Sequence, residues 1–425
     1  MSIYLKNGTY IDWQTLEFIN ADIKVTEGVN GKIQFIKEIP FEKQDSDKVI
    51  DCTNKFVTKS FVNGHHHIYS ALATGMPASP RSPENFLEIL KFIWWELDKK
   101  LDYETIRASA LVTGMLCAKN GVTFVIDHHS SPFAAEGSLE IIAKALDEIG
   151  LSHLLCIELS DRDGETPKQK GLEEIENYLK SGKQGLVGLH ASFTVGDDLM
   201  KKSVALAGKY NSGIHVHTAE SSMDQDLTIK DYGKRIVERF KDAGVLNFDK
   251  TILAHCISIN EQERKILKNS KVWIVQNTES NLNNNVGNFN SSGLNENIFY
   301  GTDGMHSDMI TSAKAAYLIG RAEENIQLQT AYNRLRNVHK YLSKNNYSGD
   351  CDNSLIILGF DSPTDMNKKN FLGHLFYGID SRNIESVISN GNLIVDKRKL
   401  VNKNEDEILE FSREMSKKLW GKLYK

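Results

Sequence analysis

Phe61-Val62-Asn63-Gly64-His65-His66-His67-Ile68-Tyr69-Ser70 is the stretch from which the fold and the chemistry are read. An apolar pair leads into three consecutive histidines. In an extended strand alternate side chains share a face, so His65 and His67 can reach one ion while His66 points away. Two neutral imidazoles make half of a tetrahedral site for zinc or a related divalent metal. Taken alone, a histidine triplet is as readily a hydrogen-bonded turn as a ligand pair. Other strands must supply the remaining ligands.

Outward from this stretch the pattern is strand then helix, repeated. Short β-rich runs at 61–66, 122–128, 153–159, 185–190, 213–217, 251–256, 272–276 and 298–301 alternate with helical periodicity at 139–149, 172–180, 197–210, 232–243 and 261–267. Buried parallel strands joined by right-handed helical crossovers fit this rhythm. Eight units in about 250 residues is the size of an α/β fold of the (β/α)8 TIM barrel type. We assign the barrel to residues 59–351.

Residues 1–58 read differently. Short strands at 2–6, 22–26, 32–37, 49–51 and 55–58, with Asn7-Gly8 and Asn30-Gly31 turns, predict a small antiparallel unit. Residues 352–402 hold further strands at 355–359, 383–389 and 392–395 around an Asn390-Gly391 hairpin turn. They are expected to complete the same unit, giving a small discontinuous β-sandwich domain. Residues 403–425 read as a helix capped by Asn404, with Ile408, Phe411, Met415 and Leu419 on one stripe. The Asn/Ser/Gly-rich segment 281–297 is expected to be a mobile loop. Segment 86–97 carries Phe86, Phe92, Trp94 and Trp95 with apolar residues on nearly every side, more than one buried stripe requires.

Composition excludes several function classes. The net charge of −5 without a dense basic block argues against nucleic acid and anionic membrane as partners. Five scattered cysteines without a CxxC pair fit reduced thiols, and no apolar run approaches the ~20 residues of a membrane helix. The start MSIYLKNGTY lacks the basic n-region and apolar core of a signal peptide, so a cytoplasmic location is expected.

The predicted strand ends carry His65 and His67, Asp127-His128-His129, Glu158, His190, His215 and His217 with Glu220, His255, Asn277 and Asp303. Singly each is an ordinary polar residue near a loop. Falling together on the edge where barrel enzymes build their sites, they point to a metal-dependent catalyst. His65, His67, His217 and Asp303 can ligate one ion and leave a position for water.

At these residues the chain resembles the amidohydrolase superfamily, in its aminohydrolase/chlorohydrolase branch. The carriers are the HxH of His65-His66-His67, the run His215-Val216-His217-Thr218-Ala219-Glu220, Ala254-His255-Cys256 and Gly301-Thr302-Asp303-Gly304. The stretches HIYSALA (67–73), FLEILKFIWWELD (86–98), DHHSS (127–131) and ELSDRDG (158–164) are similar to aminohydrolases of the SsnA type. The resemblance implies one divalent ion, zinc with iron or manganese as alternatives, and favours His217 over His215 as ligand. It assigns proton transfer to Glu220, polarisation of the substrate to His255, and substrate contact to His190, with Asp303 both binding metal and sharing the water's proton. Arg162 offers a planar fork to the substrate, with a salt bridge to its flanking aspartates as the alternative. The expected reaction is hydrolytic deamination of a nitrogen heterocycle, with cyclic amide hydrolysis or dechlorination as alternatives. The fourth strand ends Leu189-His190-Ala191, without the lysine that a carboxylate-bridged binuclear site needs. The expected partner is a small-molecule substrate, and the expected assembly a homo-oligomer, a dimer. Two departures stand out: Lys59-Ser60 replaces the usual Pro-Gly before the first strand, and Asn277-Thr278 the usual Asn-Pro after the seventh.

Overall fold

A computed structural model describes residues 2–37 and 47–424. Eight parallel strands run in sequential order: β1 Phe61–His66, β2 Val122–His129, β3 Ser152–Leu159, β4 Val187–Ala191, β5 Ile214–Thr218, β6 Ile252–His255, β7 Trp273–Gln276 and β8 Ile298–Tyr300. Between β8 and β1 the barrel is drawn together by the amides of Thr302 and Asp303, which both donate to the carbonyl of His65 at 3.0 Å. The interior is filled by Val62, Phe124, Ile126, Leu154, Cys156, Ala254, Val275 and Phe299. Val338, Tyr341 and Leu342 of the helix Leu328–Lys344 belong to the same cluster. The barrel is thus a packed core whose polar chemistry is confined to the strand ends.

Two glycines permit the closure. A Cβ on Gly64 would lie 2.5 Å from the Phe299 ring, and one on Gly301 would lie 2.8 Å from His65 Cβ. Any larger residue at either point would push β8 away from the first histidine pair. The β1 ladder also shifts register between Asn63 and His66, so the histidines leave the strict alternation of the strand.

The remaining strands form two sheets. One has four strands, ordered Ile33–Ile36, Asp22–Thr26, Ser2–Lys6, Lys48–Asp51. The other has seven: Lys399–Leu400, Asn392–Asp396, Ile384–Ser389, Leu355–Leu358, Phe56–Lys59, Thr9–Ile11 and Phe18–Asn20. Ile3, Leu5, Ile23 and Val25 of the first sheet cluster with Val57, Leu355, Ile357 and Ile388 of the second. The expectation of a purely antiparallel unit is corrected. Ser2–Lys6 pairs parallel with Lys48–Asp51, and Thr9–Ile11 parallel with Phe56–Lys59. Asn7, at φ 60°, carries the chain from one sheet to the other and closes no hairpin.

Three helical expectations change as well. The periodicity at 232–243 is two helices, Ser222–Tyr232 and Ile236–Ala243, separated at Gly233 with φ 67°. The helix expected at 172–180 starts earlier, at Glu165 behind Gly164 with φ 91°. The segment expected to be a mobile loop opens with a helix, Thr278–Asn283, and its remainder is tied down. Arg264 donates to the carbonyls of Asn290 and Ser292 at 2.6 and 2.9 Å, and Asn295 reaches three carbonyls at 267–270. Asparagine favours turns by bonding backbone locally, but here the partners are distant and the loop is held.

Candidate active site

At the C-terminal ends of the strands the histidines are oriented by backbone carbonyls. His67 Nδ1 donates to the carbonyl of His128 at 2.7 Å, and His217 Nδ1 to that of His190 at 2.8 Å. A carbonyl only accepts, so each ring carries its proton on Nδ1 and turns a bare Nε2 lone pair inward. These two Nε2 atoms lie 3.1 Å apart. His65 Nε2 is fully buried without a hydrogen-bond partner, while its Nδ1 meets His215 Nε2 at 2.9 Å. His215 therefore supports His65 from behind. Asp303 Oδ1 stands 3.0 Å from His67 Nε2 and 3.7 Å from His65 Nε2.

Lone pairs crowded in this way call for a cation at their centre. Burial alone disfavours charge on His67, but the Asp303 carboxylate beside its Nε2 overrides it and pushes its pKa up to about 9, so this nitrogen attracts positive charge, a proton or a metal ion. The same histidines overcome burial to hold Asp303 well below the usual carboxylate range. His65, His67 and His217 offer ligand atoms within 4.8 Å of one another, as do His65, His255 and Asp303. The donor set fits a divalent ion.

Around this cluster stand the two remaining groups. His255 Nδ1 donates to Asn281 Oδ1 at 2.8 Å, leaving a buried, unpartnered Nε2 at 3.5 Å from Glu220 and 3.6 Å from Asp303. Glu220 accepts from Asn284 Nδ2 at 3.2 Å, and its backbone amide donates to Asp224 at 2.8 Å. Burial, then the neighbouring Asp303 and Asp224, raise its pKa well above the ordinary value. The turns that present these groups are strained. Ala219, His255, Cys256 and Asp303 have φ of 49°, 72°, 53° and 54°, a region costly for residues with a Cβ. Backbone bonds such as Cys256 N to the Thr218 carbonyl at 2.9 Å hold them there.

A cavity opens above, lined by His67, His217, Glu220 and Asp303 at one end. His190 also lines it, its Nδ1 2.6 Å from Thr194 Oγ1 and its pKa lowered by burial to about 4. Arg162 is on the wall, but its fork is engaged. It donates to Asp163 at 2.9 Å, to Glu158 at 3.0 Å and to Asp98, and it lies 5.1 Å over the Trp95 ring. Of the flanking aspartates only Asp163 forms the salt bridge; the other partners, Glu158 and Asp98, lie beyond them. Phe86, Leu90, Trp94 and Trp95 roof the cavity, which explains why segment 86–97 is apolar on more than one side. His306 is paired with Glu279 at 2.8 Å in a loop, and His129 with Ser131 at 2.8 Å.

The lining also includes Asp98, Asp224 and Asn284, which sequence reasoning did not place in the site, and Glu158, to which it gave no role. Glu158 stood at a predicted strand end and was findable. Asn284 and Asn281 lie in the segment read as a mobile loop, where composition hid them.

A barrel with histidines and an aspartate converging at its strand ends defines a metal-dependent hydrolase. The sequence profile of the amidohydrolase family matches residues 56–346, and the chain belongs to that family. It is 25% identical over 395 residues to a 5'-deoxyadenosine deaminase of Methanococcus maripaludis, covering 87% of this chain and 90% of that protein. It is 26% identical over 425 residues to a 5-methylthioadenosine/S-adenosylhomocysteine deaminase of Thermoanaerobacter pseudethanolicus, covering 92% and 89%. A zinc-bound adenosine deaminase from Xanthomonas campestris shares the fold, with a TM-score of 0.84 at 15% identity over 98% of each chain. No helix among the described residues is long and apolar enough to cross a membrane.

Proposed function

We propose that the protein is an aminohydrolase that replaces the exocyclic amine of a nitrogen heterocycle by an oxygen from water. The observation that carries this reading is the meeting of Glu220, His255 and Asp303 beside the inward lone pairs of His65, His67 and His217. These three histidines and Asp303 would hold a single divalent ion, zinc by preference. Such an ion lowers the pKa of a coordinated water to about 7.

The chain's own groups do the rest. Asp303 and Glu220 receive protons as water attacks the sp² carbon bearing the amine. His255, with Nδ1 held by Asn281, faces the reacting atoms through Nε2 and steadies charge there. Glu220 then delivers its proton to the amine nitrogen, the proton on Asp303 passes to the ring nitrogen adjoining the attacked carbon, the C–N bond breaks, and ammonia leaves. His190 contacts the substrate; Arg162 acts by fixing Glu158 and Asp98 in the wall.

The test is ammonia release from purines, pyrimidines and aminotriazines, with metal-loaded and chelator-treated protein, alongside elemental analysis. About one ion per active chain, with release abolished by chelation, is the expected result. Two ions per active chain, or turnover indifferent to chelation, would remove the single-ion assignment. Ammonia from no member of the panel would remove the deaminase reading.

A further inference from the structure

Glu158, next to last in β3, lines the same cavity, and no step of the proposed reaction uses it. Its Oε1 is occupied, accepting from Arg162 Nη1 at 3.0 Å and from Ser130 Oγ at 3.2 Å. Its Oε2 makes no hydrogen bond among the described residues and stands 3.6 Å from His128 Nδ1. That nitrogen is itself bare. His128 Nε2 lies 3.2 Å from the carbonyls of both Leu189 and His215, so it carries the ring proton. Nδ1 is left a lone pair, buried and unpartnered. Asp98 repeats the pattern, with Oδ2 engaged by Arg162 and sharing the single Ser130 hydroxyl proton with Glu158 Oε1, and Oδ1 buried without a partner. This wall of the cavity has acceptors to spare and lacks donors. The bare atoms of His128 and Asp98 are buried, while Glu158 lines the cavity, where a donor on the substrate can reach its Oε2.

A second cation is the less suitable occupant. His128, Glu158 and His217 do bring ligand atoms within 4.8 Å of one another. However, His217 Nδ1 is bound to the His190 carbonyl and its Nε2 belongs to the His65 and His67 set. Only two protein ligands would remain, and the Arg162 guanidinium already shares the carboxylate. A neutral donor meets no such repulsion. The short separation from His217 also places Glu158 against the ring being deaminated, not against a substituent beyond it.

We propose that Glu158 anchors a ring N–H of the substrate, so that the enzyme takes a free heterocyclic base in preference to the corresponding nucleoside. The inference rests on the deaminase reading and narrows it. In a nucleoside the glycosidic bond replaces that N–H by N–C, which leaves Oε2 facing carbon with no donor. The two curated relatives are named for nucleosides, so this chain would differ from them in substrate.

The experiment compares kcat/KM for ammonia release by the metal-loaded full chain on adenine with adenosine, guanine with guanosine, cytosine with cytidine, and the 9-methyl derivatives of both purines. At least one base should exceed its nucleoside, and a purine its 9-methyl form, by about 10- to 100-fold. Glu158→Gln should bring that ratio near one by slowing the base, whereas Ser130→Ala, which loosens Glu158 only through Oε1, should preserve it. A nucleoside used as well as its base, or a ratio unchanged in Glu158→Gln, overturns the inference and leaves the deaminase reading intact. If no member releases ammonia, the deaminase reading fails, and calorimetric binding of the same pairs decides. Base binding that weakens in Glu158→Gln then supports the anchor, and equal or absent binding of base and nucleoside overturns it. A second zinc retained by the wild type and lost from Glu158→Gln would also overturn it, in favour of a cation.

Discussion

Asn281 and His255 are both buried, and the amide oxygen of one meets Nδ1 of the other at 2.8 Å. That contact decides which imidazole nitrogen keeps a lone pair, and so which can face the reacting atoms. Replacing Asn281 with Asp keeps an oxygen acceptor, and kcat should fall less than tenfold. Asn281→Leu keeps the size but not the acceptor, and kcat should fall by ~10²-fold with KM little changed. Equal losses in both variants would show that Asn281 only fills space. Glu220→Gln separates two roles in the same manner. As a helix-start acid Glu220 would contribute at most about 1 kcal/mol of stability, and turnover would survive. As the proton carrier, its loss should lower kcat by ~10²-fold or more at unchanged metal content. Near-normal deamination by a fully metal-loaded Gln variant would move the proton to His255 or Asp303. The histidines and Glu220 were legible in sequence because their spacing matches a strand end. Asn281 and Asn284 were not, since a residue that acts by orienting another carries no spacing of its own.

Among the elements, the roof of the cavity has the least regular backbone. Residues Phe86–Ile89 are α-helical, Leu90–Trp94 make a π turn, and Trp95–Asp98 return to α geometry. A π turn adds a residue to the winding and rotates the next turn of helix, a device frequent at functional sites. Here Leu97 is fully buried, while Leu90, Trp94 and Trp95 line the cavity. The sequence showed apolar residues on every side but not the change of winding, because periodicity of 3.6 is blind to one inserted residue. If Trp95 serves the cavity, Trp95→Ala should raise KM on the order of tenfold and leave kcat and Tm close to wild type. If it serves the core, the same change should cost about 3–5 kcal/mol and show first as a lowered Tm. The helix Thr278–Asn283 makes the complementary point. Its composition predicted a loop, but its Asn281 and the following Asn284 bond His255 and Glu220, partners remote in sequence.

At the scale of the whole molecule, the pairing of Phe56–Lys59 with Leu355–Leu358 joins chain segments some 300 residues apart. We propose that residues 1–58 and 352–402 fold as one unit with these strands at its seam. A chain lacking residues 1–58 should expose Leu355 and Ile357 and be insoluble; a soluble, metal-loaded barrel would refute the proposal. Beside the seam lies Lys59, one of the departures noticed in sequence. It is buried and pairs with Asp350 at 2.8 Å, whose other oxygen is 2.7 Å from His339 Nδ1 on the helix Leu328–Lys344. Burial raises the Asp350 pKa, but His339 and Lys59 outweigh it and bring it down to about 2, from 3.8. A depressed folded-state pKa means that the unfolded chain binds the proton first as pH falls. The stabilisation is therefore complete above pH ~4 and lost between about 4 and 2, and it amounts to about 2 kcal/mol. Asp350→Asn leaves Lys59 buried without its counter-charge and should cost about 3–5 kcal/mol at neutral pH. The double variant Lys59→Met with Asp350→Leu should recover much of that loss. Urea unfolding from pH 6 to 3 reads both effects at once. The metal ligands are common to wild type and variant, so their protonation cancels in the difference. That difference should be constant above pH 5 and shrink below pH 4. A gap that stays the same down to pH 3 would show that Asp350 is not the group whose charge ties the barrel to the second sheet.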